Sequence, residues 1–176
     1  TRGSLAAANT IIVLVLLTNL IKLGFTSFLV NPVNWDKVNL ILEICTFLVP
    51  FIVYCVANWS LTTLFDGKGK LGQVYMATCY CMLPYPLIQI PLIFLSNVVT
   101  TEERQFYDVL SVVSLVWVLL WIVLAMGQIH EYSVGKNFVF TIGSLFAMLI
   151  IVFILLLFFS MISQGIAYFI DRKSVV

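Results

Sequence analysis

Five apolar stretches, each long enough to cross a bilayer and joined by short loops, occupy nearly all of this 176-residue chain. The hydrocarbon core of a membrane takes about 20 apolar residues per helix. Such stretches run near Ala8–Val30, Asn39–Ala57, Gly72–Val98, Tyr107–Gln128 and Phe138–Ile170. With 62% hydrophobic and 10% charged residues, the chain falls far outside the soluble range of roughly 45–50% apolar and about 25% charged. Mean hydropathy is +1.11. The expected fold is therefore all-α: a polytopic membrane protein built as one bundle of five transmembrane helices across residues 1–176, with the lipid bilayer as its first partner. So little sequence lies between the spans that no soluble catalytic domain fits there.

Charge adds little. The net charge of +1 supports neither nucleic-acid binding nor a strongly basic lipid-binding face. Arg2-Gly3-Ser4 runs directly into the first span, so an upstream segment is expected, and that span is too long for a signal-peptide core. Lys68, Lys70 and Lys136 fall on the side of Arg2, against Lys37, Arg104, Arg172 and Lys173 on the other, so positive charge does not orient the chain. Cys45, Cys55, Cys79 and Cys81 all lie inside spans, and the Cys79/Cys81 spacing sets their side chains on nearly opposite helix faces. They read as small buried hydrophobes, and no metal or other cofactor is expected. Asn58-Trp59-Ser60 matches a glycosylation acceptor at a span's end and reads as a chance match.

Proline breaks the third span. Pro84, Pro86 and Pro91 each remove a backbone donor and clash with the preceding turn, which predicts a kinked helix that its neighbours must shield from lipid. Pro50 does the same more mildly in the second span. Between spans, Asn31–Lys37 has turn formers, an interfacial Trp35 and Asp36 as a helix start. Asp66-Gly67-Lys68-Gly69-Lys70 reads as a flexible polar turn, and Thr100 precedes Glu103 at the spacing of a capping box. No internal repeat is evident, which gives no support to an inverted-repeat transporter.

Lys22 and Glu43 are the ionisable residues deepest in apolar surroundings. Counted from the first loop they fall at similar depth on antiparallel helices, where the readings are an intramembrane ion pair, a snorkelling lysine beside an independent glutamate, a partner-binding contact, or proton or ion handling. Thr78, Tyr80, Tyr85 and Gln89, beside Pro84, Pro86 and Pro91, either line a solute path or make interhelical hydrogen bonds that satisfy the freed carbonyls. Trp117 and Trp121 share one face and read as packing or lipid-facing. The Gly143-x-x-x-Ala147 spacing permits close helix approach. His130 is the single histidine. Topology sets the segment with His130, Tyr132 and Lys136 on the same side as Asn58, Trp59 and Asp66, so the two segments form a polar rim that is either a structural cap or a docking surface, with His130 near Asp66 or Glu131. No nucleophile has a base and an orienting group arranged around it.

The runs Ala57-Asn58-Trp59-Ser60 and Leu64-Phe65-Asp66-Gly67, then Ala77-Thr78-x-Tyr80-x-x-Leu83-Pro84, Leu95-Ser96-Asn97-Val98 and His130-x-Tyr132-Ser133-x-x-Lys136, resemble the Yip domain family, named for Ypt/Rab-interacting proteins, and more narrowly its prokaryotic branch. The resemblance covers all five spans. It implies a five-helix membrane domain with a cytoplasmic amino terminus and the opposite end outside or in a lumen. Eukaryotic relatives act in membrane trafficking with small GTPases and form hetero-oligomers. The Asp-Leu-Tyr-Gly-Pro signature of their first conserved segment is absent here, so that role is not carried over. Similar prokaryotic proteins are often encoded beside carbohydrate ABC importers, which implies an accessory subunit in the cell membrane, partnered by other integral membrane subunits such as an ABC permease. The competing class is a small solute transporter or channel along the third helix. Coupled transport usually needs several intramembrane ionisable groups or a repeat, and only Lys22 and Glu43 are available, so a non-enzymatic scaffold is the expected function.

Overall fold

The structure is a computed structural model that describes residues 3–32 and 38–174. Arg2 and the turn residues Trp35, Asp36 and Lys37 lie outside the described residues. Six helices follow one another, α1 (Leu5–Phe25), α2 (Leu40–Leu64), α3 (Leu71–Cys81), α4 (Pro84–Ser96), α5 (Arg104–His130) and α6 (Val134–Ser174). Taken with α3 and α4 as one interrupted span, they make five crossings long and apolar enough for a membrane. The expected five-span all-α bundle is the observed one.

Span ends shift where side chains or tertiary bonds claim the backbone. α1 stops at Phe25 instead of reaching Val30, because the Ser27 N–H donates to Ser96 Oγ across the bundle (3.1 Å). The second helix starts at Leu40, where the Asn39 side chain accepts from the N–H groups of Ile41 and Leu42, an N-cap that satisfies two orphan donors. It then runs past Ala57 to Leu64, through residues poor in helix propensity. Thr62 and Thr63 donate back to the carbonyls of Asn58 and Trp59, and Asn58 finds partners on other helices. Before α5, the Glu103 carboxylate accepts from the Thr100 N–H and hydroxyl, and these bonds hold its carboxyl below the usual carboxylate range.

In the third span the helix is interrupted at Met82 and Leu83, directly before Pro84, which takes the first position of α4. The carbonyls that Pro84 and Pro86 would orphan, those of Tyr80 and Met82, are met by backbone groups. Met82 and Leu83 N–H reach Cys79 and Tyr80 oxygens, and Tyr85 N–H reaches Met82 oxygen (3.0–3.2 Å). Pro50, by contrast, sits inside a continuous α2. The third span is the most buried of the five and packs against α1, α2 and α5, so the shielding its broken backbone requires is present. Around it a core of small and sulfur-bearing side chains forms from Ala8, Phe51, Cys55, Val74, Cys79 and Met126.

The fifth span is the outlier. α6 packs chiefly on α2, where Gly143 meets Leu61, and almost all of its apolar length faces outward. Its 41 residues extend roughly 60 Å at about 1.5 Å per residue, twice the thickness of a hydrocarbon core. Trp117 and Trp121 are half exposed on α5 and face lipid.

Candidate functional site

At the bundle end formed by the α2 and α5 C-termini and the α3 and α6 N-termini, the polar rim expected from the sequence assembles around His130. This histidine is 2% exposed and Asn58 is 1% exposed. Each polar atom there has an assigned direction. Gly69 N–H donates to His130 Nδ1 (3.3 Å), so Nδ1 is the acceptor and the proton of the neutral ring sits on Nε2. Nε2–H then faces Asn58 Oδ1 at 3.2 Å, Asn58 Nδ2 donates to Ser144 Oγ (2.9 Å), and Ser144 donates to the Phe140 carbonyl (2.8 Å). One chain of bonds thus ties the α2–α3 loop, α5, α2 and α6 together.

The loop sits close to the ring. A Cβ at Gly69 would lie 2.6 Å from His130 Cε1, and one at Gly67 would lie 2.8 Å from Thr62. Glycine is needed here for backbone approach, and the segment expected to be a flexible turn is clamped onto the imidazole instead. His130 bonds neither Asp66 nor Glu131. Glu131 pairs with Lys68 across the loop, with both side chains well exposed, and Asp66 is exposed with φ near 60°. Tyr132 stacks on His130, donates to the Phe65 carbonyl (3.1 Å) and receives the Lys136 ammonium 4.4 Å from its ring centroid. Burial pushes its phenol up, with Asp66 adding to the shift. Trp59, placed on the rim by its sequence position, turns inward against the core. The buried Asn58 amide is spent on His130 and Ser144, in keeping with a chance glycosylation match.

The third-span residues do not converge on one path. Tyr85 donates to Asn19 (2.7 Å) and Tyr75 to Asn9 (2.7 Å), two rungs joining parallel helices ten residues apart on each. Tyr80 exchanges hydrogen bonds with the Ser4 backbone. Gln89, fully buried, turns the other way and donates to Ser111 (3.1 Å) and Ser114 (2.7 Å) on α5, with its Oε1 unpartnered among the described residues. Pro86 is buried and Pro84 and Pro91 lie along α4. Asn9 and Asn19 escaped the sequence reading, although their ten-residue interval matches that of Tyr75 and Tyr85 and carried the signal. Gly69 and Ser144 had no such signal, since only the folded loop brings them to the histidine and its asparagine.

At the opposite end, Lys22 lies in the last turn of α1 and Glu43 in the first turn of α2. Each thus lies within one turn of a helix end. Each charge complements its own helix dipole. Among the described residues they form no ion pair with each other; both line one cavity of about 400 Å3 between α1, α2 and α4. The four cysteines are free, three of them buried, and no cluster of three or more histidine, cysteine or carboxylate groups suited to a metal occurs among the described residues.

Five apolar helical crossings, packed around a broken central span and tied at one end by a buried polar network, define a polytopic helical membrane protein. Its sequence matches the Yip1 domain over residues 2–165, nearly the whole chain, and the protein belongs to that family. No curated protein and no solved structure matches it.

Proposed function

We propose that this Yip1 family member is a non-enzymatic membrane scaffold or accessory subunit whose His130 end is the docking surface. The observation that carries this reading is how the rim divides its groups. The side chains of His130 and Asn58 are buried and bonded to each other, and the buried Thr62 hydroxyl donates to the Asn58 backbone carbonyl. The outer surface instead presents Leu64 and Phe65, 78% and 51% exposed, beside Asp66, Lys68, Glu131 and Lys136. An apolar centre within a rim of mixed charge suits a protein partner better than a reaction. Another integral membrane subunit is the partner class, and the resemblance to prokaryotic relatives points to a carbohydrate ABC permease in the cell membrane, with the amino terminus and the rim cytoplasmic.

Purification in mild detergent tests the reading: a stoichiometric membrane partner that is lost on Phe65→Glu is expected, whereas a lone protein that moves solute in liposomes would overturn it. Single cysteines at Lys68 and Lys136 should label from the inside and one at Arg104 from the outside. The transporter reading has one observation on its side, the polar cavity at Lys22, Glu43 and Tyr85. Against it, Tyr80 and Gln89 face other directions, which leaves the cavity without a polar continuation along the third span.

A further inference from the structure

The Lys22–Glu43 cavity has a chemistry that helix dipoles alone do not explain. Dipole complementarity places a cation at the end of α1 and an anion at the start of α2, but it does not require both to face one 400 Å3 space while remaining uncoupled. That volume lies within the range of about 300–1,000 Å3 typical of ligand sites. Its position is equally specific. Both charges lie within one turn of a helix end, whereas Asn19 and Tyr85, bonded to each other, line it further along the helices, and the ends of helices about 20 residues long are where a span meets the headgroups.

The wall behind it turns apolar. Phe47 borders this cavity and two more, one of about 160 Å3 with Val15, Leu115 and Val118, the other of about 480 Å3 with Pro50, Met82 and Leu145. The larger space lies between α2, α3, α5 and α6, with Pro50 and the third-span break at Met82 on its wall. A two-signed chamber at the helix ends with apolar space behind it matches an amphipathic ligand.

We propose that this is a binding site for a zwitterionic phospholipid with a primary-amine headgroup, its phosphate held by Lys22, its ammonium by Glu43, and an acyl chain in the apolar space behind Phe47. Both charge signs are needed. A purely anionic headgroup would satisfy Lys22 but face the Glu43 carboxylate. A choline headgroup has no N–H to donate and is recognised by cages of aromatic rings, of which Phe47 and Tyr85 supply only two walls. A primary ammonium gives Glu43 charge-assisted hydrogen bonds. The site stands on the cavity alone and does not depend on whether the opposite end docks a protein.

Native mass spectrometry of the full chain in mild detergent, titrated separately with phosphatidylethanolamine, phosphatidylcholine and phosphatidylglycerol, tests this. Retention of phosphatidylethanolamine roughly tenfold above the other two is expected, the scale of one charge-assisted bond. Glu43→Gln should reduce it to the phosphatidylcholine level, and Lys22→Met should weaken all three phosphate-bearing lipids. Equal retention of the three lipids by the unaltered chain would overturn the proposal whatever the variants do, and so would an ethanolamine preference that survives both substitutions. Soluble glycerophosphoethanolamine separates the sources: much weaker binding than the lipid supports the acyl half of the site, and equal binding refutes it.

Discussion

The two ends of the bundle handle polar groups in opposite ways. At the His130 end every hydrogen bond has a donor and an acceptor, and the loop backbone is drawn onto the ring until only glycine fits. At the Lys22–Glu43 end the two charges face a shared space without meeting. The first arrangement is what a structural latch requires, because a partly satisfied buried network costs more than an apolar core. The second leaves interaction energy uncommitted, as a site for a ligand must. The contrast teaches that in this bundle the residues most suggestive of chemistry by type, such as the histidine, are the ones the fold consumes.

The contrast fails if the His130 end tolerates change. His130→Ala removes a buried ring and strands the Gly69 N–H and the Asn58 carbonyl, so it should cost about 3 kcal/mol or more, read as a fall in Tm in mild detergent. Near-neutrality would mean the network is ornamental. Gly69→Ala tests the clamp from the loop side. Its Cβ overlaps the imidazole, and a loss of about 1–3 kcal/mol is expected in the same measurement, with unchanged Tm arguing that the loop stands off the ring.

Smaller effects sharpen the picture. Tyr85→Phe and Asn19→Leu each break one rung between α1 and α4 and should cost about 1 kcal/mol, while the pair together costs less than the sum; strict additivity would dissolve the rung. Neutralising the open end, by Lys22→Met or Glu43→Gln, should change Tm by less than the His130 substitution, because neither charge has a partner to strand among the described residues. A loss as large as that of His130→Ala would erase the difference between the two ends. The smallest change is expected at the exposed Lys68–Glu131 pair, where Lys68→Ala should cost about 0–1 kcal/mol and less at high salt.

Much of the fold was legible without coordinates. Hydropathy sums along the chain, so the five crossings and the membrane environment follow from composition and spacing, and proline acts on its own backbone, so the break before Pro84 is local. Thr100 and Glu103 do bond at the three-residue spacing, but as a turn ahead of α5, whose N-cap is Glu103 with no side-chain cap. Boundaries were less legible: Phe25 ends α1 because Ser27 bonds Ser96, a residue 69 positions away.

Sequence by itself determined the solvent, the number of spans, and that His130 and Asn58 share one end of the bundle. Only the tertiary structure decided what those groups do there. Asn58 reads as a polar residue at a span's end until α5 brings His130 and α6 brings Ser144 to it, 72 and 86 residues along the chain. Likewise the hairpin placed Lys22 and Glu43 at one depth, but whether they pair or frame a cavity depends on how α4 fills the space between α1 and α2. Hydrogen bonds are directional and reach only about 3 Å, so their partners are fixed by packing geometry rather than by residue type or spacing.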